Sequence, residues 1–140
     1  MEINEICMRE HKKKYHKKPI IIEKNIHDPN SQQIIVYPNL PIISKHNNKK
    51  LDIVNNEQFV VSKLKDNGQF IIIKNDEREL KLSQDDFKNL FYPAYCVTCH
   101  SAQGQTYNFA YTIHEWEKLT TKLKYVALSR STCLEHVNII

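Results

Sequence analysis

An α/β chain interrupted by a small antiparallel β module is the architecture the sequence predicts. Three observations carry it. Short β-branched runs, Ile20-Ile21-Ile22 and Ile34-Ile35-Val36-Tyr37, stand near the start, as expected of buried strands. Closely spaced short strands divided by turn signals fill the middle, from about Leu40 to Leu82. After Pro93 the rhythm becomes strand, loop, strand, helix, strand, the order of a parallel sheet with a crossover helix.

Taken in order, Ile3 to Lys14 places Ile3, Ile6 and Cys7 on one stripe, which predicts a helix with one buried and one basic face. Pro19 stops it. His27-Asp28-Pro29-Asn30-Ser31 is a loop by its turn residues. Four strands follow, at Leu40–Ser44, Gln58–Leu64, Gln69–Lys74 and Arg78–Leu82. Asp66-Asn67-Gly68 is a strong hairpin signal and Asn75-Asp76-Glu77 a weaker one. Together they predict a small antiparallel barrel or meander. Ser83 caps a short helix to Leu90, with Asp85 and Asp86 at its positive end. Ala94 to Cys99 is apolar and β-prone, so a strand is expected there, leading into the polar loop Ser101-Ala102-Gln103-Gly104-Gln105. Phe109–Ile113 reads as a strand, Thr120 or Thr121 as the cap of a helix to about Ser129, and His136–Ile140 as a final strand.

The 140 residues suit one ordinary domain, with or without a small insert. No apolar run approaches the ~20 residues that cross a bilayer. The opening Met1-Glu2-Ile3-Asn4-Glu5 has neither the basic start nor the apolar stretch of a secretory signal. An intracellular protein, cytoplasmic or nuclear and not secreted, with reduced cysteines is expected. The abundance of Ile, Lys and Asn fits an AT-rich genome such as that of a large DNA virus or a protist. The formal charge of +4 is concentrated. Arg9 to Lys18 holds six lysine and arginine side chains and two histidines against one acid, and Lys45, His46, Lys49 and Lys50 form a smaller group. Such clusters attract phosphate backbones, or simply face solvent; charge alone does not choose between the two.

Two passages carry more chemistry. Thr98-Cys99-His100-Ser101-Ala102-Gln103-Gly104-Gln105-Thr106 is a dense set of hydrogen-bonding groups containing one of only two glycines in the chain. A loop at the carboxyl end of a strand is where α/β sheets bind ligands, and glycine there permits a positive φ or a close backbone approach. Tyr125-Val126-Ala127-Leu128-Ser129-Arg130-Ser131 sends a lone arginine off the end of a mostly small and apolar helix. Taken alone, the second has an ordinary explanation, a buried helix with a salt-bridged arginine.

Together, in this order and spacing, they resemble motifs V and VI of superfamily 1 DNA helicases, in the RecD-like and PIF-like branch (superfamily 1B). There a Thr-x-His-x-(Ser/Ala)-Gln-Gly-x-Thr stretch precedes Tyr-Val-Ala-Leu-Ser-Arg. This chain supplies Thr98, His100, Ala102, Gln103, Gly104 and Thr106, then Tyr125 to Arg130 without a gap. The family also inserts an SH3-like β module before motif V, often opening on a Val-Asn-Gly turn. Val54-Asn55-Asn56-Glu57 stands at that place, with Asn56 for the glycine and Phe59 where a second glycine is common. The resemblance is close from about Leu40 onward and loose before it.

The resemblance implies a partial RecA-like parallel sheet with helices, divided by the SH3-like module. Residues 1–39 would begin the second RecA-like domain, 40–90 form the insert, and 91–140 return to that domain with motifs V and VI. It also implies an ATP-driven motor in which Arg130 is the catalytic arginine at the γ-phosphate. Gln103, Gly104, Thr106, Tyr125 and Arg130 would serve the nucleotide, while Thr98, His100 and Ser101 would touch single-stranded DNA. ATP with Mg²⁺ is the implied cofactor. The partners would be single-stranded DNA and an N-terminal RecA-like domain, on the same chain or another.

No Gly-x-x-x-x-Gly-Lys-(Ser/Thr) loop and no acidic pair after an apolar strand occurs in the 140 residues. The chain alone is therefore expected neither to hydrolyse ATP nor to unwind DNA. Three other readings compete. Cys96-Val97-Thr98-Cys99-His100 matches the haem-attachment pattern, which would require export. Cys96 and Cys99 have zinc-ligand spacing without a second pair, so small buried thiols are preferred and no metal is expected. A non-catalytic single-stranded nucleic-acid-binding module built on the β barrel is the alternative from another class.

Overall fold

The computed structural model describes residues 2–140, which form two compact units divided between Cys96 and Val97.

The first unit opens with helix α1 (Glu2–Lys12), whose first turn carries Glu2 and Glu5 and whose last carries Arg9, His11 and Lys12. That order matches the helix dipole at both ends. α1 buries Met8 and Asn4. The Asn4 side chain is a clamp: its Nδ2 donates to the carbonyls of Pro93 (3.2 Å) and Cys96 (2.9 Å), and its Oδ1 accepts from the Cys96 amide (2.7 Å). A polar side chain is tolerated in the interior because its donors and acceptor are satisfied. Strands β1 (Ile20–Ile22) and β2 (Ile34–Val36) pair antiparallel, in register from Ile20↔Val36 to Ile22↔Ile34.

A five-stranded antiparallel sheet dominates this unit, built from β3 (Pro41–Ser44), β4 (Gln58–Lys65), β5 (Phe70–Lys74), β6 (Glu79–Ser83) and β7 (Phe91–Pro93). Its order is β6-β5-β4-β3-β7. β4 alternates, burying Phe59 and Val61 between partly exposed neighbours, whereas β5 buries three successive isoleucines, Ile71 to Ile73. The first pattern is a strand with one wet face and the second a strand covered on both. Asp66, Asn67 and Gly68 turn the β4–β5 hairpin with φ of 52°, 56° and 92°. At Gly68 the lack of a side chain also matters, since a Cβ would stand 2.8 Å from Ile20 Cδ1. Asn56, which stands where the resembling family has a glycine, has φ 62°, a left-handed conformation that asparagine tolerates. Helix α2 (Gln84–Leu90) starts at Ser83, whose side chain accepts from the Asp86 amide, and it buries Phe87 and Leu90. One core joins these elements, with Leu40, Ile42, Val61, Ile71, Ile73, Phe87 and Phe91 essentially inaccessible.

The second unit contains helix α3 (Cys99–Ala102), strand β8 (Tyr111–Ile113), helix α4 (Thr121–Ser129) and strand β9 (Val137–Ile139). β8 and β9 pair in parallel, from Tyr111↔Val137 to Ile113↔Ile139. α4 supplies the crossover that a parallel pair needs. The expected helix and both later strands are present, within two residues of their expected ends. The strand expected at 94–99 is not. β7 ends at Pro93, the chain then turns, and Thr98 opens α3. Two contacts draw it away from a strand: the Thr98 hydroxyl accepts from the Ser101 amide as a helix cap, and the distant Asn4 side chain holds both the amide and the carbonyl of Cys96.

Candidate functional site

The two sequence motifs meet inside the second unit. Motif V begins on α3. Thr98 Oγ1 accepts from the Ser101 amide at 3.1 Å and donates to Ser101 Oγ at 3.0 Å. The Thr98 hydroxyl is therefore engaged in building the turn, while the His100 side chain lies exposed on it. Gln103 caps the carboxyl end of α3, and Gly104 follows with φ 85° and open space where a Cβ would be. The glycine thus serves a left-handed turn and leaves the backbone accessible. The loop leaves a helix, and this corrects the expectation that it leaves a strand. Gln103, Gly104 and Thr106 are exposed and Gln105 is half-buried.

Motif VI is α4 and its end. Thr120 caps the helix by accepting from the Leu123 amide, and Val126 and Ala127 face inward. Tyr125 is 73% exposed. Arg130 follows the last helical turn, and its guanidinium makes three hydrogen bonds. Nη1 donates to the Gln105 carbonyl (3.1 Å), Nε to the Val126 carbonyl (3.1 Å), and Nη2 to Ser129 Oγ (3.0 Å). The charge has no carboxylate partner among the described residues. The salt-bridged arginine that would be the ordinary outcome at such a place is thus replaced by a cation fixed on neutral oxygens.

The backbones are stitched as well. The Tyr107 amide donates to the Arg130 carbonyl (2.6 Å), the Thr132 amide donates to the Tyr107 carbonyl (3.0 Å), and Tyr107 and Ser131 form a parallel bridge. Tyr111 Oη donates to the Ala127 carbonyl at 2.6 Å. Burial pushes the Tyr111 phenol above its ordinary range, opposed by the neighbouring Arg130 charge. The carbonyl of Gln105 and the rings of Tyr107 and Tyr111, which contact each other at 5.0 Å, were not singled out in the sequence. Their only signal was adjacency to motif V.

Gln103, Gly104 and Arg130 are thus brought into one neighbourhood, linked through Gln105. Tyr125 lies two helical positions before the buried Ala127, on an exposed part of α4. Among the described residues there is no group of three metal-ligating side chains and no disulfide. No helix is long and apolar enough to cross a membrane.

These elements define a mixed α/β fold: a five-stranded antiparallel sheet, an antiparallel strand pair, and a small parallel pair with helices. Pif1 helicases have this fold over part of their length. The structure of Bacteroides Pif1 bound to ssDNA superposes with a TM-score of 0.71 at 18% identity, over 99% of this chain and 37% of that one. Pif1 helicase from Bacteroides in complex with ADP-AlF3 and ssDNA gives 0.67 at 18% identity, over 99% of this chain and 38% of that one. Pif1 helicase from Candida albicans gives 0.63 at 12% identity, over 99% of this chain and 43% of that one. The chain spans about two-fifths of the length of these helicases. No protein-family profile and no curated protein matches it by sequence.

Proposed function

We propose that the chain is the C-terminal motor portion of an ATP-dependent DNA helicase of superfamily 1B. In this reading residues 1–39 and 91–140 belong to the second RecA-like domain and 40–90 are an SH3-like insert. Arg130 senses the γ-phosphate of ATP held with Mg²⁺ mainly by a first RecA-like domain. Gln103, Gly104, Thr106 and Tyr125 serve the nucleotide, and Thr98, His100 and Ser101 contact single-stranded DNA.

The observation that carries the proposal is the Arg130 guanidinium, held by three neutral oxygens beside the Gly104 loop with no acid among the described residues to neutralise it. A positioned guanidinium stabilises the charge that spreads over a transferring phosphoryl group, an effect of roughly 10³–10⁵ in rate. Its planar fork also matches phosphate oxygens better than an ammonium does. The solved helicases of this fold, two of them in complex with ssDNA, support the same reading.

The test has two parts. The isolated chain is assayed for ATP hydrolysis with and without single-stranded DNA; DNA-stimulated turnover would defeat the claim that it is one half of a motor. The chain is then combined with a first RecA-like domain, in cis or in trans, and Arg130→Ala is compared with wild type. Loss of hydrolysis with DNA affinity retained supports the motor. Hydrolysis unaffected by the substitution leaves a non-catalytic binding module.

A further inference from the structure

The basic segment at the end of α1 is not used by motifs V and VI, and it lies in the other unit. We infer that residues 11–18 form a second docking surface for single-stranded nucleic acid, with phosphates on the lysines and a base on the His11 ring.

Three features of the first unit point there. The cations are unequally treated. Arg9 is paired with Glu5 and Lys13 with Glu10, but Lys12, Lys14, Lys17 and Lys18 have no acidic partner among the described residues and are all exposed. Four unneutralised ammonium groups on a short stretch raise the local positive potential, which attracts a polyanion. Second, the segment is built on a firm base. Met8 is 1% exposed, Tyr15 packs against the core, and the Asn4 clamp ties the start of α1 to the end of β7. Third, an aromatic platform stands among the lysines. The exposed His11 ring stacks on Tyr95 with centroids 4.9 Å apart and planes 16° apart. Tyr95 is in turn fixed by a 2.8 Å hydroxyl–hydroxyl hydrogen bond to the buried Tyr37.

Cations that track a backbone beside a ring that receives an unpaired base are the two parts of sequence-tolerant single-strand binding. Stacking selects the single strand over the duplex, whose bases are already stacked. The inference does not depend on the motor reading, because it needs neither nucleotide nor Arg130.

The experiment titrates the full chain with fluorescent oligo-dT and with a duplex of equal length across a range of salt. The combined variant Lys12→Gln, Lys14→Gln, Lys17→Gln, Lys18→Gln is expected to bind oligo-dT at least about tenfold more weakly at low salt. Its log–log salt slope should be shallower by roughly 0.7 for each lysine that sits on a phosphate. His11→Ala should weaken oligo-dT severalfold with duplex binding unchanged, and His11→Phe, which keeps a ring on Tyr95, should restore it. Circular dichroism confirms that these exposed substitutions leave the fold intact. Unchanged affinity and slope in the lysine variant overturn the inference. So does a His11→Ala variant that binds oligo-dT as wild type does, or that loses duplex equally.

Discussion

At the scale of single residues, Arg130 and Asp28 show two ways of holding a charge. Arg130 has neutral oxygens on three sides. Arg130→Lys keeps the charge but loses the fork, so under the proposed function the chain combined with a first RecA-like domain should hydrolyse ATP at least about 100-fold more slowly while DNA affinity stays within about twofold. Steady-state hydrolysis beside anisotropy titration would read both. Asp28 is instead heavily partnered. Its Oδ2 accepts from Lys45 Nζ at 3.0 Å and from Tyr92 Oη at 2.8 Å, and Lys45 lies over the Tyr92 ring at 4.4 Å. Burial alone would raise the Asp28 carboxyl, but the hydrogen bonds from Lys45 and Tyr92 outweigh it and hold the carboxyl below its ordinary range. Burial and the bond to Asp28 push the Tyr92 phenol up to about 12. A carboxyl whose folded pKa is depressed contributes stability above its unfolded value, near ~4, and loses it as pH falls through the folded value. Asp28→Asn should therefore lower stability at pH 7 and flatten its decline below about pH 4. Urea titrations at several pH values would show it; parallel wild-type and variant curves would contradict it.

At the scale of elements, the Asn4 clamp is the joint that seats α1. Asn4→Ala would remove the hydrogen bonds that Asn4 makes to the Pro93 and Cys96 carbonyls and from the Cys96 amide. A cost of about 1–3 kcal/mol is expected, seen as a lower denaturation midpoint with an unchanged slope. Elements with strong local signals were the legible ones. The Asp66-Asn67-Gly68 turn, the Ser83 cap and the β-branched runs at 20–22 and 34–36 each specify their structure within a few residues. Ala94 to Cys99 misled, because its β preference is local whereas the Asn4 clamp that fixes Cys96 comes from the other end of the sequence. The site divides in the same way. Gly104 and Arg130 stood out by rarity and position. The Gln105 carbonyl that receives Arg130 did not, since a backbone acceptor leaves no mark in the side-chain pattern.

At the scale of the whole molecule, the two units are built to different standards. The first has a five-stranded sheet over a continuous core. The second rests on a two-stranded parallel sheet and buries few apolar side chains, Ala102, Tyr107, Ile113, Val126 and Ala127 among them. Parallel pairs are normally covered on both faces and gain stability from additional strands. Native-state hydrogen exchange should find the amides of β8 and α4 opening at a lower free energy than those of β4 and β5. Equal protection in both units would refute that.

The zipper of Tyr107 against Arg130 and Thr132 has a practical corollary. It gathers both ends of the intervening segment at a single point, and the pairing of β8 with β9 and the Trp116 amide on the Ile140 carbonyl fasten that segment again further along. Glu117 sits exposed in the short turn between β8 and α4. A fluorophore or epitope tethered there would ride on the second unit at a position whose side chain faces solvent.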